Sequence, residues 1–411
     1  MRKLTLLLIV LLALIGAAAI YLVVTTPKSA APIRFPLAES HRQLLAHVPA
    51  AADSFALVPS AALLHGKLLA NPVTREPILH WTHEHELPRP WMLGGADLAV
   101  WKRGKTTSYA LRLDPFRAML VRTWLLMSSN ADARWVGSTL IMHDAVPVSP
   151  STAGSAAPAD LSALLRLATG LPEGDVFVVQ RQTGRGAFPP IGRPAVTSVR
   201  VTATEVLLVS RAATAETAEQ REIRPRFPDG AMLAASFAAP PRVLGDLNRL
   251  LGAKIDALVD EGGSLALYDV DGGTFLPRPK GVLVIPADER AREQMKNVER
   301  VASLVGETRD TGDQILVSFD RTSMGLYLKD EMVPASWPST RWSLRIDPKR
   351  LIPVLRRVGD SPGLRFAAPR LHRAARDLRR WMDALNEADS VEAAASVAGG
   401  VEELRVRVSS K

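Results

Sequence analysis

Twenty-one consecutive residues, Leu4 to Val24, carry no charge, and eight of them are Leu. At about 1.5 Å per residue a helix of that length spans roughly 30 Å, the thickness of a bilayer's hydrocarbon core. Its fourteen Leu, Ile and Val residues each favour insertion by about 0.3 to 0.6 kcal/mol near the helix centre, which outweighs the Gly, the Thr and the alanines. Arg2 and Lys3 precede the run, while Lys28 and Arg34 follow it, diluted by Ser, Ala and Pro. Positive charge ahead of a span holds the N-terminus in the cytoplasm. Residues 1–26 are therefore expected to be a transmembrane anchor and 27–38 a linker, with the bulk of the chain periplasmic or extracellular. A cleaved signal peptide is the competing reading, because Ala17-Ala18-Ala19 suits a signal peptidase; against it, the apolar run continues through Ile20 to Val24.

The chain has no cysteine. That removes thiol catalysis, Cys-ligated zinc, iron–sulfur clusters and lipidation at the anchor, and it suits an oxidising compartment. Arg outnumbers Lys 40 to 11, which reads as the imprint of a GC-rich genome, consistent with a bacterium, and not as a binding signal. The net charge of +9 is local: residues 341–381 hold eleven Arg, one Lys and three Asp, which by themselves account for +9.

Strand signals come in pairs. Ala96–Trp101 and Ser108–Leu113 flank Lys102–Thr106; Ala133–Val136 and Thr139–His143 turn at Gly137-Ser138; Val196–Val201 is followed by Val206–Ser210; Val391–Val397 and Val401–Val408 turn at Gly399-Gly400. Between them, Ala61–Trp81 reads as two short helices interrupted at Asn71-Pro72 and Pro77, and Phe116–Met127 as another. Residues 147–159 have no periodicity and read as a flexible connector. From Ala231 the order starts over: strand to Phe237, helix Pro241–Glu261, strands Ser264–Val270 and Gly281–Ile285, helix Asp288–Leu304, strands Gln314–Phe319 and Met324–Leu328. Locally, Tyr109–Arg117 and Trp342–Arg350 agree at five of nine positions. Each is a strand followed by Asp114-Pro115 or Asp347-Pro348, a capping carboxylate with Pro at the first helical position. The expected fold is α+β: an N-terminal transmembrane helix, then two tandem repeats of antiparallel-rich sheet covered on one face by helices, at 39–225 and 229–411.

Several motifs suggest chemistry and fall short of it. Asp269-Val-Asp271-Gly-Gly-Thr274 resembles the nucleophile strand of haloacid-dehalogenase-type phosphatases, but it carries an extra Gly and leads into a hairpin; Asp-Gly-Gly is first of all a turn. Lys102-Arg-Gly104-Lys105-Thr106 resembles the end of a phosphate-binding loop, yet Ala99 stands where its first Gly belongs. Gly184-Arg-Gly186 has Pro189 in place of the dinucleotide fingerprint's third Gly. No G-x-S-x-G or S-x-x-K occurs. Nothing implies a cofactor.

Two clusters remain. In the cluster His80, His83 and His85, the residues His80, His83 and Glu84 would share a helix face at i, i+3 and i+4, a metal-compatible spacing, set against the plainer reading of a polar helix end. Over residues 369–388, Leu371, Ala374, Leu378 and Leu385 form an apolar stripe and leave Arg370, Arg373, Arg376, Arg379 and Arg380 towards solvent, with Arg356, Arg357 and Arg365 ahead of them. Charge so poorly compensated favours an anionic partner, whether lipid, a cell-wall polymer or an acidic envelope protein; outside the cytoplasm, nucleic acid is not expected.

An N-terminal anchor, no cysteine, and repeated strand, Asp-Pro cap, helix and hairpin units resemble certain membrane-anchored bacterial exported proteins grouped as domains of unknown function. That likeness implies no activity. The function expected is a non-catalytic, single-pass envelope protein of the cytoplasmic membrane with extracytoplasmic binding or scaffolding domains. A periplasmic carrier of lipid or another apolar ligand is the first alternative and a hydrolase the second.

Overall fold

The computed structural model describes residues 32–84, 93–103, 106–127, 133–143, 159–181, 194–214, 222–238, 262–271, 278–293, 295, 306–337, 339–361, 365 and 385–411. Leu4–Val24 lies outside the described residues, and no helix among those described is long and apolar enough to cross a membrane. The fold is α+β with antiparallel sheet, and the chain divides into two compact units, residues 1–203 with 208–213 and residues 204–207 with 214–411.

In the first unit β1 (Ser54–Val58) is flanked by β2 (Asp97–Arg103) and β6 (Val176–Gln180), both antiparallel to it. β3 (Thr106–Arg112), β5 (Thr139–His143) and β4 (Ala133–Val136) extend one side, and β7 (Ala195–Val201) and β8 (Glu205–Ala213) the other. The order is β4-β5-β3-β2-β1-β6-β7-β8. Helices α1 (Glu39–Leu45), α2 (Ala61–Ala70), α3 (Pro72–Glu84), α4 (Pro115–Met127) and α5 (Ala159–Leu167) lie between or before these strands. Asn71 starts α3, its side chain accepting the Val73 N–H at 3.0 Å with Pro72 behind it. The break at Asn71-Pro72 is as expected. At Pro77 the helix continues, although the ring removes the N–H that the Val73 carbonyl would take.

In the second unit the strands are β9 (Arg226–Pro228), β10 (Leu233–Phe237), β11 (Gly263–Asp271), β12 (Arg278–Pro286), β13 (Thr308–Asp310), β14 (Gln314–Ser318), β15 (Met332–Pro334), β16 (Trp342–Ile346), β17 (Ser390–Ala398) and β18 (Val401–Ser409). β9 and β15 pair separately. The others run β13-β14-β12-β11-β10-β16-β17-β18, with α6 (Ser323–Lys329) and α7 (Pro348–Gly359) among them. Taken strand for strand, this is the first unit's order.

The agreement reaches individual hydrogen bonds. Ala52 N–H closes a turn on Pro49 O at 3.0 Å, and Ala231 N–H does the same on Pro228 O at 3.3 Å. Just before the central strand, Asp53 N–H donates to Lys102 O at 2.8 Å and Met232 N–H to Leu267 O at 2.8 Å. Their carbonyls accept from Arg181 N–H at 2.8 Å and Asp347 N–H at 2.9 Å. Side-chain faces agree as well. On one face Tyr109, Leu111 and Leu140 pack with Val121 of α4, as Leu283, Ile285 and Ile315 pack with Ala291 and Met295. On the other, Ala99, Ala110 and Phe177 pack with Leu164 of α5, as Val282, Val284 and Leu316 pack with Met324 of α6.

Three sequence expectations are corrected. The sheets are covered on both faces, which is why β12 and β14 are buried almost continuously where one-sided burial would make them alternate. The match of Tyr109–Arg117 with Trp342–Arg350 joins strands that are not equivalent: β3 corresponds in position to β12, and β16 to β6. Both Asp caps do form, Asp114 accepting from Arg117 N–H at 3.1 Å and Asp347 from Arg350 N–H at 3.2 Å, so the likeness is one of local helix-start chemistry. Met324–Leu328, expected as a strand, is α6. Met324 is buried, but Leu326 and Leu328 are exposed, so the apparent alternation marks no sheet face.

The helix is started by Asp320, whose Oδ1 accepts the N–H groups of Thr322 at 2.8 Å and Ser323 at 3.1 Å. Burial pushes this carboxyl up, but the hydroxyl and amide donors of Ser323 and Thr322 outweigh burial and hold it below its ordinary range. A depressed folded-state pKa contributes stability above the unfolded value, and that contribution is lost as pH falls through the folded value. Asp320→Ala is accordingly expected to cost about 1 kcal/mol at neutral pH, with its deficit against the parent shrinking below about pH 4 in denaturant titrations.

Candidate functional site

The basic segment begins on α7. Its inward face is Leu351, Ile352, Val354 and Leu355, all buried; Lys349, Arg350, Arg356, Arg357 and Asp360 are exposed. Much of that outer charge is already engaged. Arg357 Nη2 donates to Asp269 Oδ1 at 2.8 Å, Lys349 Nζ to Asp389 Oδ1 at 2.7 Å, and the Arg350 guanidinium to the Gly230 carbonyl. Lys280 Nζ approaches the other Asp269 oxygen at 3.9 Å. Arg357 therefore tethers α7 to the end of β11 and contributes less free charge than the sequence suggests. Arg356 and Arg365 are exposed. Arg370, Arg373, Arg376, Arg379 and Arg380 lie outside the described residues.

Topology gives this segment its meaning. Between β6 and β7 the first unit has residues 181–194; between the corresponding β16 and β17 the second has 347–389. The longer connection contains α7 and nearly all of the basic run.

The other motifs take definite places. β11 and β12 pair antiparallel, Asp271 opposite Arg278, so Asp269 and Asp271 precede a hairpin and do not end a parallel strand leading to a helix crossover. Lys102–Thr106 likewise joins antiparallel β2 and β3. His80 is exposed on α3 and His83 follows on the same helix, while His85 lies outside the described residues. Among the described residues no three His, Asp or Glu side chains gather as a metal site.

Two clusters were not visible in the sequence, because each joins residues far apart along it. In the first, Asp330 accepts the Gly230 N–H on both oxygens at 3.0 Å, and the buried Tyr268 phenol sits beside the same carboxylate without a well-directed hydrogen bond. Burial, then the Asp330 charge, pushes that phenol far above its ordinary range. A phenol held so firmly protonated cannot serve as a base near neutral pH. In the second, buried His41 on α1 faces Asp97 of β2, Nε2 to Oδ1 at 3.9 Å, too long for a hydrogen bond. Burial pushes Asp97 up, while His41, Ser40 and Arg112 pull it down. With His41 Nε2 beyond hydrogen-bond reach of Asp97 and His41 Nδ1 unpartnered among the described residues, the imidazole is not oriented by the carboxylate as acyl-transfer chemistry requires.

No family model, curated protein or solved structure matches the chain.

Proposed function

We propose that this chain is a non-catalytic membrane-tethered binding protein, built from two copies of one α+β unit and held by Leu4–Val24 in the cytoplasmic membrane with both units on the far side. The second copy carries the contact with an anionic partner. One observation carries this reading: units with the same strand order differ most plainly in the β16–β17 connection, and that is where the unbalanced Arg residues concentrate. A shared scaffold with one lengthened, basic connection is what specialisation of a single copy for binding produces.

The hydrolase alternative draws no support from the arrangement of Asp269, Asp271, Ser40, His41 and Asp97. The test of the binding reading is co-sedimentation of residues 32–411 with phospholipid vesicles. Binding is expected to be markedly tighter on anionic vesicles than on neutral ones, and that excess should fall steeply with salt. Equal binding to both, or to neither, contradicts lipid as the anionic partner.

A further inference from the structure

The point where the chain reaches the first unit is fixed by three contacts. Ile33 and Gly174 exchange backbone hydrogen bonds of 2.8 and 3.4 Å, Arg34 pairs with Glu173 at 2.6 Å, and the Phe35 ring meets Phe177 edge-on with centroids 4.6 Å apart. The next residue, Asp175, accepts Lys67 Nζ of α2 at 2.6 Å. One turn further on, at the C-terminal cap of α2, Asn71 Nδ2 donates to Thr202 O at 2.9 Å. The C-terminal end of α2 is thus pinned beside the arriving chain.

α2 is also unusually apolar for its surroundings. Its sequence is Ala-Ala-Leu-Leu-His-Gly-Lys-Leu-Leu-Ala, and none of its residues is buried. Leu63, Leu64, Leu68 and Leu69 are each partly exposed, and Leu79 in the adjoining α3 is 45% exposed. Full burial of a leucine is worth about 1.5 to 3 kcal/mol, so Leu79 and, to a smaller degree, the four partly buried leucines of α2 leave some of that driving force unspent in water.

Chain length says what can cover it. From Val24 to Ile33 even a fully extended chain reaches no more than about 30 Å. If Leu4–Val24 spans the membrane, Ile33 lies within that distance of the bilayer surface, and Lys67 anchors α2 one residue from Ile33's partner. We propose that the α2–α3 pair rests on the outer leaflet of the same bilayer, its leucines seated at the headgroup and acyl boundary. Within the pair Lys67 and Arg75 are matched by Glu76 and Glu84. The contact is therefore apolar and independent of anionic lipid, unlike the one proposed for the second unit. It rests on the reading of Leu4–Val24 as an anchor.

The test uses the full chain, which has no native cysteine to confuse labelling. Leu79→Cys and, separately, Ala13→Cys are labelled with nitrobenzoxadiazole and reconstituted in vesicles containing lipids spin-labelled at shallow or deep positions. Leu79 is exposed, so its replacement leaves the core intact. The Leu79 label is expected to lose about half its emission to the shallow quencher, equally on neutral and anionic lipid, consistent with burial of some 5–10 Å. The Ala13 label is expected to be quenched by the deep one. An unquenched Leu79 label beside a quenched Ala13 label overturns the surface contact and leaves the anchor standing; both unquenched removes both. A Leu79 label shielded from water but unreached by either quencher means that protein covers the face, and that too overturns the proposal.

Discussion

Replacing Arg373, Arg376, Arg379 and Arg380 together with Gln is expected to lower binding of residues 32–411 to anionic vesicles by at least about tenfold, since each basic residue near an anionic surface contributes about 1 kcal/mol. The expectation follows from charge density: 341–381 carries as much net charge as the whole chain. Within that segment the cations are not equivalent. Lys349, Arg350 and Arg357 have intramolecular partners in Asp389, the Gly230 carbonyl and Asp269. Arg357→Gln should therefore loosen the attachment of α7 to β11 and reduce vesicle binding less than the fourfold variant. Binding by the fourfold variant equal to that of the parent would remove the segment from the function.

Phe177→Ala is expected to destabilise the first unit by about 3–5 kcal/mol, the range for deleting a fully buried aromatic side chain. Phe177 is 1% exposed in β6 and shares a core with Phe55, Leu57, Trp101 and Leu44. It also holds Phe35, the last aromatic contact before the chain leaves for the linker. Guanidinium denaturation should show a lowered midpoint, and hydrogen exchange should rise first in β1 and β6. The same variant should free the segment around Ile33, so limited proteolysis near Arg34 would accelerate. An unchanged midpoint would mean that β6 does not present this face to the core.

Much of the fold was legible because its signals are local. Gly137-Ser138 and Gly399-Gly400 marked hairpins that formed where expected, with Gly137, Gly399 and Gly400 all at positive φ. Asp114 and Asp347 marked helix starts that also formed. What failed depended on context. Met324, Leu326 and Leu328 mimic strand alternation, and only the upstream Asp320 with Thr322 and Ser323 signals a helix start. The structural equivalence of the units hides in sparse features such as Pro49 and Ala52 against Pro228 and Ala231, because sheet pairing constrains backbone position far more than residue identity. Capping chemistry is more demanding of residue type, so Asp-Pro stood out even where the strands are not equivalent.

The candidate site was half legible for a similar reason. A run of Arg shows in any composition scan, but whether a given guanidinium is free or spent on a carboxylate depends on partners such as Asp269, 88 residues away from Arg357. The spacing of Ala61–Trp81 shows two short helices, but only the fold shows that the leucines of α2 stay partly exposed beside Asp175.

Central to the proposed function is the expectation that the chain crosses a membrane once and places both units beyond it. The direct measurement is labelling of single cysteines in intact spheroplasts with a membrane-impermeant maleimide. Lys3→Cys, ahead of the apolar run, should react only after permeabilisation, while Ser138→Cys on the exposed β4–β5 turn and Glu402→Cys on β18 should react without it. Protection of Ser138→Cys and Glu402→Cys until lysis would contradict that placement, and with it the proposed contacts of both units.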